Sequence, residues 1–361
     1  MKKTKLYSIH EKLNAKIVEF AGFLMPVQYT SIIAEHKAVR NSVGIFDVSH
    51  MGEVFIEGNG ALDFVQYVTV NDASKLSTGR VQYSAMCYPD GGIVDDLLVY
   101  KLDENRFMLV INASNIDKDV KWMKDNNKFG VNIINSSDDY SLIAVQGPKS
   151  KEVIRKICDF DLDLEYYHFT PGKAAGIDMI ISRTGYTGEL GYELYFTGDQ
   201  AAAEKVWNKI SEAGKEFDIV PAGLAARDSL RLEMGFCLYG NDIDKTTNPL
   251  EAGLGWITKL KKDDFIGKDV LLKVKADGLK RKLSPITSDE RVFPRHGYDI
   301  TVKGKKIGSI TSGTVSPVLD KPIALGYIDS EYAAEGSEVN FFIRGKEIPA
   351  KIVKLPFINK N

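Results

Sequence analysis

Cysteine is scarce in this 361-residue chain. Only Cys87, Cys158 and Cys237 occur, and an odd, widely spaced set builds no disulfide framework. Such usage fits a reducing compartment. The five histidines (His10, His36, His50, His168 and His296) never fall at metal-ligand spacing, so no zinc motif is present and no metal is expected. No apolar run approaches the ~18–20 residues that a transmembrane helix needs. The first residues, MKKTKLYSIHEKL, are basic but lead into no apolar segment of the secretory kind. An excess of one charge is missing too. The 47 Lys and Arg stand against 49 Asp and Glu and the pI is near 6.3, which argues against nucleic acid or an anionic membrane as the main partner. The dinucleotide fingerprint, the P-loop ending and the G-x-S-x-G elbow are all absent. These absences set the expectation of a cytoplasmic protein without metal or nucleotide.

What is present is ordinary globular composition, 44% hydrophobic and 27% charged residues. At ~100–200 residues per domain the length suggests two or three domains. Ser31 to Arg40 reads as a helix capped by Ser31, with Ile33, Ala34 and Ala38 on one side, ended by Gly44 before a strand from Ile45 to Ser49. Glu53 to Glu57, Gln82 to Cys87, Ile93 to Tyr100 and Arg106 to Ile111 read as strands. Pro89-Asp90-Gly91-Gly92 is a strong turn signal between the middle two. Ala61 to Val68 reads as a short helix. Ser114 is placed to cap a helix whose apolar side is Ile116, Val120 and Met123, and Val131 to Ile134 closes that unit. Further on come a strand from Tyr140 to Val145, a helix opening at Pro148, strands at Asp178 to Arg183 and Tyr192 to Phe196, and helices at Ala201 to Ala213 and from Pro221 to Met234. Beyond about Lys275, short β runs alternate with turns, which predicts a small antiparallel barrel or jelly roll.

Three segments could carry chemistry. Asp95-Asp96 interrupt the apolar run Ile93 to Tyr100. Strand alternation puts one carboxylate on the side of Leu97 and Val99 and the other on the side of Leu98 and Tyr100. A carboxylate in such company is costly unless paired. Either both lie at a strand end near water, or one sits in a pocket and handles a proton or a cationic group. Arg227 and Arg231 share a helix face. They form either a solvated face paired with Asp228 or a fork for an anion. Arg183 to Glu193 holds three glycines and two tyrosines. It is either a hairpin with aromatic cover or a rigid ligand loop, with tyrosine stacked on a flat ring and Glu193 accepting from ring N–H groups. Ser49-His50 adjacency does not suit a nucleophile and its base, so His50 is expected to be structural.

The order of these pieces resembles the T protein of the glycine cleavage system, an aminomethyltransferase. The matching pieces include Ala21-Gly22-Phe23 with Met25-Pro26, Phe46-Asp47-Val48-Ser49-His50-Met51, Asn71-Asp72, Gly91-Gly92-Ile93 with Asp95-Asp96-Leu97, Gln146-Gly147-Pro148, Thr184 to Glu189, Ala226-Arg227-Asp228, and Thr311-Ser312-Gly313 with Ser316-Pro317. They span Leu6 to Phe357. The resemblance implies an α+β, three-domain cloverleaf around a central folate cavity. Its domains would be 1–51 with 135–274, an inserted 52–134, and a C-terminal β domain of 275–361. It implies a folate pocket of Tyr83, Asp96, Leu98, Tyr100, Val110, Asn112, Tyr186, Glu193 and Arg227, with Asp96 the catalytic group. Tetrahydrofolate would be the co-substrate and a lipoylated H protein the partner of a monomeric enzyme without metal. Relatives often end in a tail whose basic or aromatic residue reaches the ligand, a role open here to Lys360. Two rival implications are a related folate-dependent demethylase and a non-enzymatic folate-binding protein.

Overall fold

The computed structural model describes residues 1–359, so Lys360 lies outside the described residues. The chain divides into two compact units. The first is Met1–Val65, Ala73–Tyr83 and Leu97–Asp228; the second is Gln66–Asp72, Ser84–Asp96 and the chain from Ser229 onward.

The first unit is built on a mixed sheet with the strand order Phe169–Ala174, Ile177–Ser182, Gly191–Thr197, Tyr140–Gln146, Gly44–Asp47, Val220–Pro221. Alternation along Gly191–Thr197 sorts its side chains. Tyr192, Leu194 and Phe196 face one way and join Ile143, Val145 and Ile181 in a core. That core is covered by the helix Gln200–Gly214, which contributes Ala203, Val206, Trp207 and Ile210. Glu193 and Tyr195 must then face the other way. Asp199 caps the helix by accepting from the Ala202 N–H at 2.9 Å.

A second sheet has the order Val81–Cys87, Ile93–Asp103, Arg106–Ile111, Gly52–Glu57, Asn132–Asn135. Its register places Leu98 opposite Val110 and Val110 opposite Glu53. Paired strand residues share a face, so Leu98, Val110 and Glu53 form one row across three strands.

In the second unit, Arg281–Thr287, Lys321–Asp329, Lys305–Ser316, Asp299–Val302, Glu338–Ile343 and Lys346–Ile352 close into an antiparallel barrel. Ile286, Ile300, Ile310, Ala324, Ile328 and Phe341 fill it. The expected C-terminal β domain is thus a closed barrel in an α+β fold.

Several local expectations are corrected. The helix Ile32–Asn41 does take Ser31 as cap, but it buries Glu35, His36 and Val39 rather than Ile33, which is 56% exposed. Gly44 opens a strand because a Cβ there would lie 2.5 Å from Val39. Ser114 does not cap; it lies inside a 3₁₀ turn, Ala113–Asn115. Pro148 precedes the helix Ser150–Arg155. Pro221 pairs in parallel with Ile45, and the helix after it begins only at Leu224.

Candidate functional site

The loop between Ile177–Ser182 and Gly191–Thr197 carries Tyr186, and the sequence around it is fitted to one side chain. Gln146 is 1% exposed. Its amide donates to the Thr184 carbonyl at 3.2 Å and accepts from the Thr187 hydroxyl at 2.9 Å. A Cβ on Gly185 would lie 2.0 Å from its Oε1, and one on Gly191 2.2 Å from its Nε2. These two glycines exist to let the amide in. From the other side Arg40 donates to the Thr187 carbonyl at 2.6 Å and to Glu189 at 2.7 Å.

Below the loop, a polar network links side chains of Ile177–Ser182, Gly191–Thr197 and the part of Ile93–Asp103 that lies in the first unit. Glu193 is flanked in register by Ala144 and Ser182. Its Oε2 accepts from the Thr184 hydroxyl and from the Tyr195 hydroxyl, the latter at 3.3 Å. The Tyr100 hydroxyl lies 3.1 Å from Ser182, 3.3 Å from Thr184 and 3.0 Å from Tyr195. Tyr100 is fully buried, so its hydroxyl serves this network. Burial pushes both tyrosines upward, and the charge of Glu193 adds to it.

Arg227 sits in the first turn of Leu224–Glu233, and its guanidinium lies 4.7 Å from the Tyr186 ring centroid, within cation–π range. The start of that helix is held by Glu35. Its carboxylate accepts from the backbone N–H groups of Tyr29 (2.7 Å), Thr30 (2.8 Å) and Gly223 (2.9 Å). Burial lowers Arg227 from its ordinary range, opposed by Glu193, Tyr186 and Tyr195. Burial, and then the charge of Arg227, lower His50 to about 4 against the pull of Asp47. His50 is therefore neutral at neutral pH, edge-on to Phe20 at 5.4 Å. Glu53 is 1% exposed, and its Oε1 has no protein hydrogen-bond partner. Burial, and then Glu193, raise it well above the usual carboxylate range, with Lys5 opposing.

Of the residues expected to form the pocket, Tyr83, Leu98, Tyr100, Val110, Asn112, Tyr186, Glu193 and Arg227 fall in the first unit. Tyr186, Glu193, Arg227 and Tyr100 are brought together there by the contacts above. Leu98 and Val110 share a row, and Tyr83 and Asn112 are half-buried.

Asp96 falls in the second unit. The picture of both aspartates solvated at a strand end is overturned: Asp95 is fully buried and Asp96 half-buried. Alternation leaves Asp96, Leu98 and Tyr100 on one side of Ile93–Asp103. Asp96 and Asp242 lie close enough to Cys237 to add to the upward push that burial gives its thiol. The turn before Asp96 is tight: a Cβ on Gly92 would lie 2.1 Å from the Lys245 carbonyl. Arg231 is no part of a ligand fork or a solvated face. It is buried, donates to Asp242 at 2.6 Å, and reaches the Phe236 carbonyl and Ser312 at 2.8 Å each. Thr311 also donates to Asp242, at 2.5 Å, and Ser316 to Glu233 at 2.5 Å. Thr311-Ser312 and Ser316 thus join the barrel to the helix end.

Lys262 explains Asn71-Asp72. Its ammonium donates to the carbonyls of Gln66 (2.7 Å), Thr69 (2.5 Å) and Asn71 (2.7 Å). The Asn71 N–H then donates to Ser84 at 3.1 Å.

Sequence reasoning passed over Gln146, Arg40, Glu35 and Glu53 as site-building residues. A polar residue closing an apolar strand at Gln146, opposite glycine-spaced segments, is the one signal available beforehand.

The GCVT N-terminal domain family matches residues 6–262, and the glycine cleavage T-protein C-terminal barrel domain family matches 281–359. The aminomethyltransferase of Halothermothrix orenii is 52% identical over 359 residues, covering 99% of this chain and all of that one. That of Flavobacterium psychrophilum is 53% identical over the full length of both. The crystal structure of glycine cleavage system aminomethyltransferase T from Bartonella henselae superposes with a TM-score of 0.92 at 34% identity, over 99% of this chain and 98% of that one.

Proposed function

We propose the reaction from an established premise: the chain belongs to the glycine cleavage T-protein family and is a tetrahydrofolate-dependent aminomethyltransferase. Its first substrate is an aminomethyl group bound through sulfur to the lipoyl arm of an H protein. Its second is tetrahydrofolate. The carbon loses its C–S bond and its C–N bond to ammonia, and gains two C–N bonds to the folate. The two protons leaving the folate nitrogens end on the dihydrolipoyl sulfur and on ammonia. No electrons change hands, and the product is 5,10-methylenetetrahydrofolate.

The observation that carries this reading is the cluster of Tyr186, Arg227 and Glu193. It offers an aromatic face, a cation and an anchored acceptor carboxylate together. A flat bicyclic ring with N–H donors and an anionic tail needs those three features. Glu193 accepts from the pterin N–H groups, Tyr186 covers the ring and Arg227 meets an anionic group. Tyr83, Leu98, Val110 and Asn112 complete the lining, and Tyr100 holds the network behind Glu193. Asp96 is the catalytic group. It stabilises positive charge developing at the transferred carbon and takes a proton, work typically worth ~10²–10⁴-fold. The rest is positioning of amine against carbon.

Asp96→Asn keeps the fold and loses most turnover. The checks are thermal melts and methylenetetrahydrofolate formation from aminomethylated H protein; near-normal turnover with a normal melt sinks Asp96 as the catalytic group. Turnover that does not need H protein would favour a demethylase instead.

The proposed organisation is three domains, with 52–134 inserted between 1–51 and 135–274, and 275–361 following. The second sheet's strands between Gly52 and Asn135 and the barrel strands between Arg281 and Ile352 support it. Among the described residues no helix is long and apolar enough to cross a membrane. The same reading puts the enzyme in the cytoplasm as a monomer that meets its carrier transiently.

A further inference from the structure

We propose that Gln146 is a positioning residue for the transfer reaction: its buried amide sets the conformation of the Arg183–Leu190 loop and thereby the affinity for tetrahydrofolate. The inference rests on the reading above, in which Tyr186, Glu193 and Arg227 hold the folate.

The amide is used through both its nitrogen and its oxygen. It donates to the Thr184 carbonyl and accepts from the Thr187 hydroxyl, which brackets Tyr186 on both sides. Thr184 in turn donates its own hydroxyl to Glu193. One side chain therefore fixes the approach to the aromatic face and the partner of the acceptor carboxylate. The two glycines are the complement of that amide. Neither Gly185 nor Gly191 has positive φ, so backbone conformation does not require glycine at either place. Space does, since each Cβ position lies at 2.0–2.2 Å from the Gln146 amide. A loop held only by chance packing would show no such shared constraint. Arg40 grips the same loop at Thr187 and Glu189, so loss of Gln146 shifts the loop without releasing it.

The consequence is a particular pattern of epistasis. Gln146→Ala removes both loop bonds, and tetrahydrofolate binds about tenfold more weakly, as loss of roughly one buried hydrogen bond's worth of preorganisation implies. Turnover at saturation stays within about twofold, because the reacting groups are untouched. Gly185→Ala alone forces the methyl into the amide and weakens binding more. In the double variant the space left by Gln146 accepts the methyl, and affinity returns to that of Gln146→Ala. A residue that only supported the fold would shift the melting temperature and leave this rescue absent.

The experiment is calorimetric titration of the full-length protein with tetrahydrofolate, alongside thermal melts, for the two single variants and the double. Arg227→Ala and Tyr186→Ala serve as controls of the site itself. Rescue of Gly185→Ala by Gln146→Ala, with weakened affinity in each single variant, is the expected result. Unchanged affinity in Gln146→Ala or in Gly185→Ala, or a double variant no tighter than Gly185→Ala, overturns the role of Gln146. If Gln146→Ala does not fold, the Gly185→Ala affinity alone decides. Unchanged affinity in Arg227→Ala and Tyr186→Ala together overturns the folate reading instead.

Discussion

Replacing Asp242 by asparagine should destabilise the protein by about 3–5 kcal/mol, the range seen when one partner of a buried ion pair is removed. The magnitude follows from how the carboxylate is used. It is inaccessible to solvent, as is Arg231 beside it. It accepts from Arg231 at 2.6 Å, from the Leu238 N–H at 3.0 Å and from Thr311 at 2.5 Å. Asparagine has nearly the same shape but no charge, and its amide turns a donor toward one of three donors. Arg231 keeps the Phe236 carbonyl and Ser312 but loses the carboxylate charge that faces it at 2.6 Å. Domains are stable by roughly 5–15 kcal/mol, so the variant folds but with much of its margin gone. Urea denaturation gives the midpoint and slope. Hydrogen exchange of the strand Lys305–Ser316, which carries Thr311 and Ser312, locates the loss. Adding Arg231→Met should recover part of the stability, because the buried charge that lost its Asp242 carboxylate goes with it. A single variant within about 1 kcal/mol of the parent, or a double variant no better than Asp242→Asn, would refute the reasoning.

Two more predictions concern pH. Glu53 has its folded pKa raised, by burial first and then by Glu193. The unfolded chain therefore ionises it above about pH 4 while the folded chain does not, and stability is lost as pH rises through that region. Glu53→Gln should melt higher than the parent at neutral pH, with the gap closing near pH 4; a lower melt at neutral pH contradicts it. Lys262 has the opposite sign. Burial lowers it to about 7, with Asp72 and Asp263 pulling up and Lys268 adding to the lowering. Between about pH 7 and pH 10 the unfolded chain holds a proton that the folded chain lacks, so this residue's contribution to stability rises with pH. Lys262→Met should flatten that part of the urea-midpoint profile, and an unchanged slope rejects the assignment.

The strands were legible where turns punctuate them. Pro89-Asp90-Gly91-Gly92 and the Gly-rich C-terminal runs mark hairpins whose partners are neighbours in sequence. Closure of the barrel was not legible, because Arg281–Thr287 achieves it by pairing with Lys321–Asp329 and Lys346–Ile352, and no local turn announces such distant partners. Ile33 misled because an apolar residue on a helix need not face inward, and Glu35 was invisible because its partners are backbone groups, which leave no mark on the side-chain pattern, and one of them, at Gly223, is distant in sequence. Parity correctly grouped Asp96 with Leu98 and Tyr100 but could not say which side was buried. For the Arg227 and Arg231 pair, four-residue spacing suggested a common task. Their surroundings, set by residues distant in sequence, give them different ones.

Glu35 has a consequence for how this protein can change over evolution. A carboxylate held by three backbone N–H groups does not depend on the side chains at Tyr29 or Thr30. For this anchor any residue but proline serves at either place, although the Tyr29 hydroxyl has its own partner in His10 Nδ1 at 2.9 Å. Added salt has little to compete with, since the charge is buried and its donors carry no side-chain charge. Gly223 is constrained in side chain as well, because a Cβ there would lie 2.4 Å from the Val27 backbone. The start of the Arg227 helix is thus secured by one acidic residue and one glycine, through backbone groups that every residue but proline supplies.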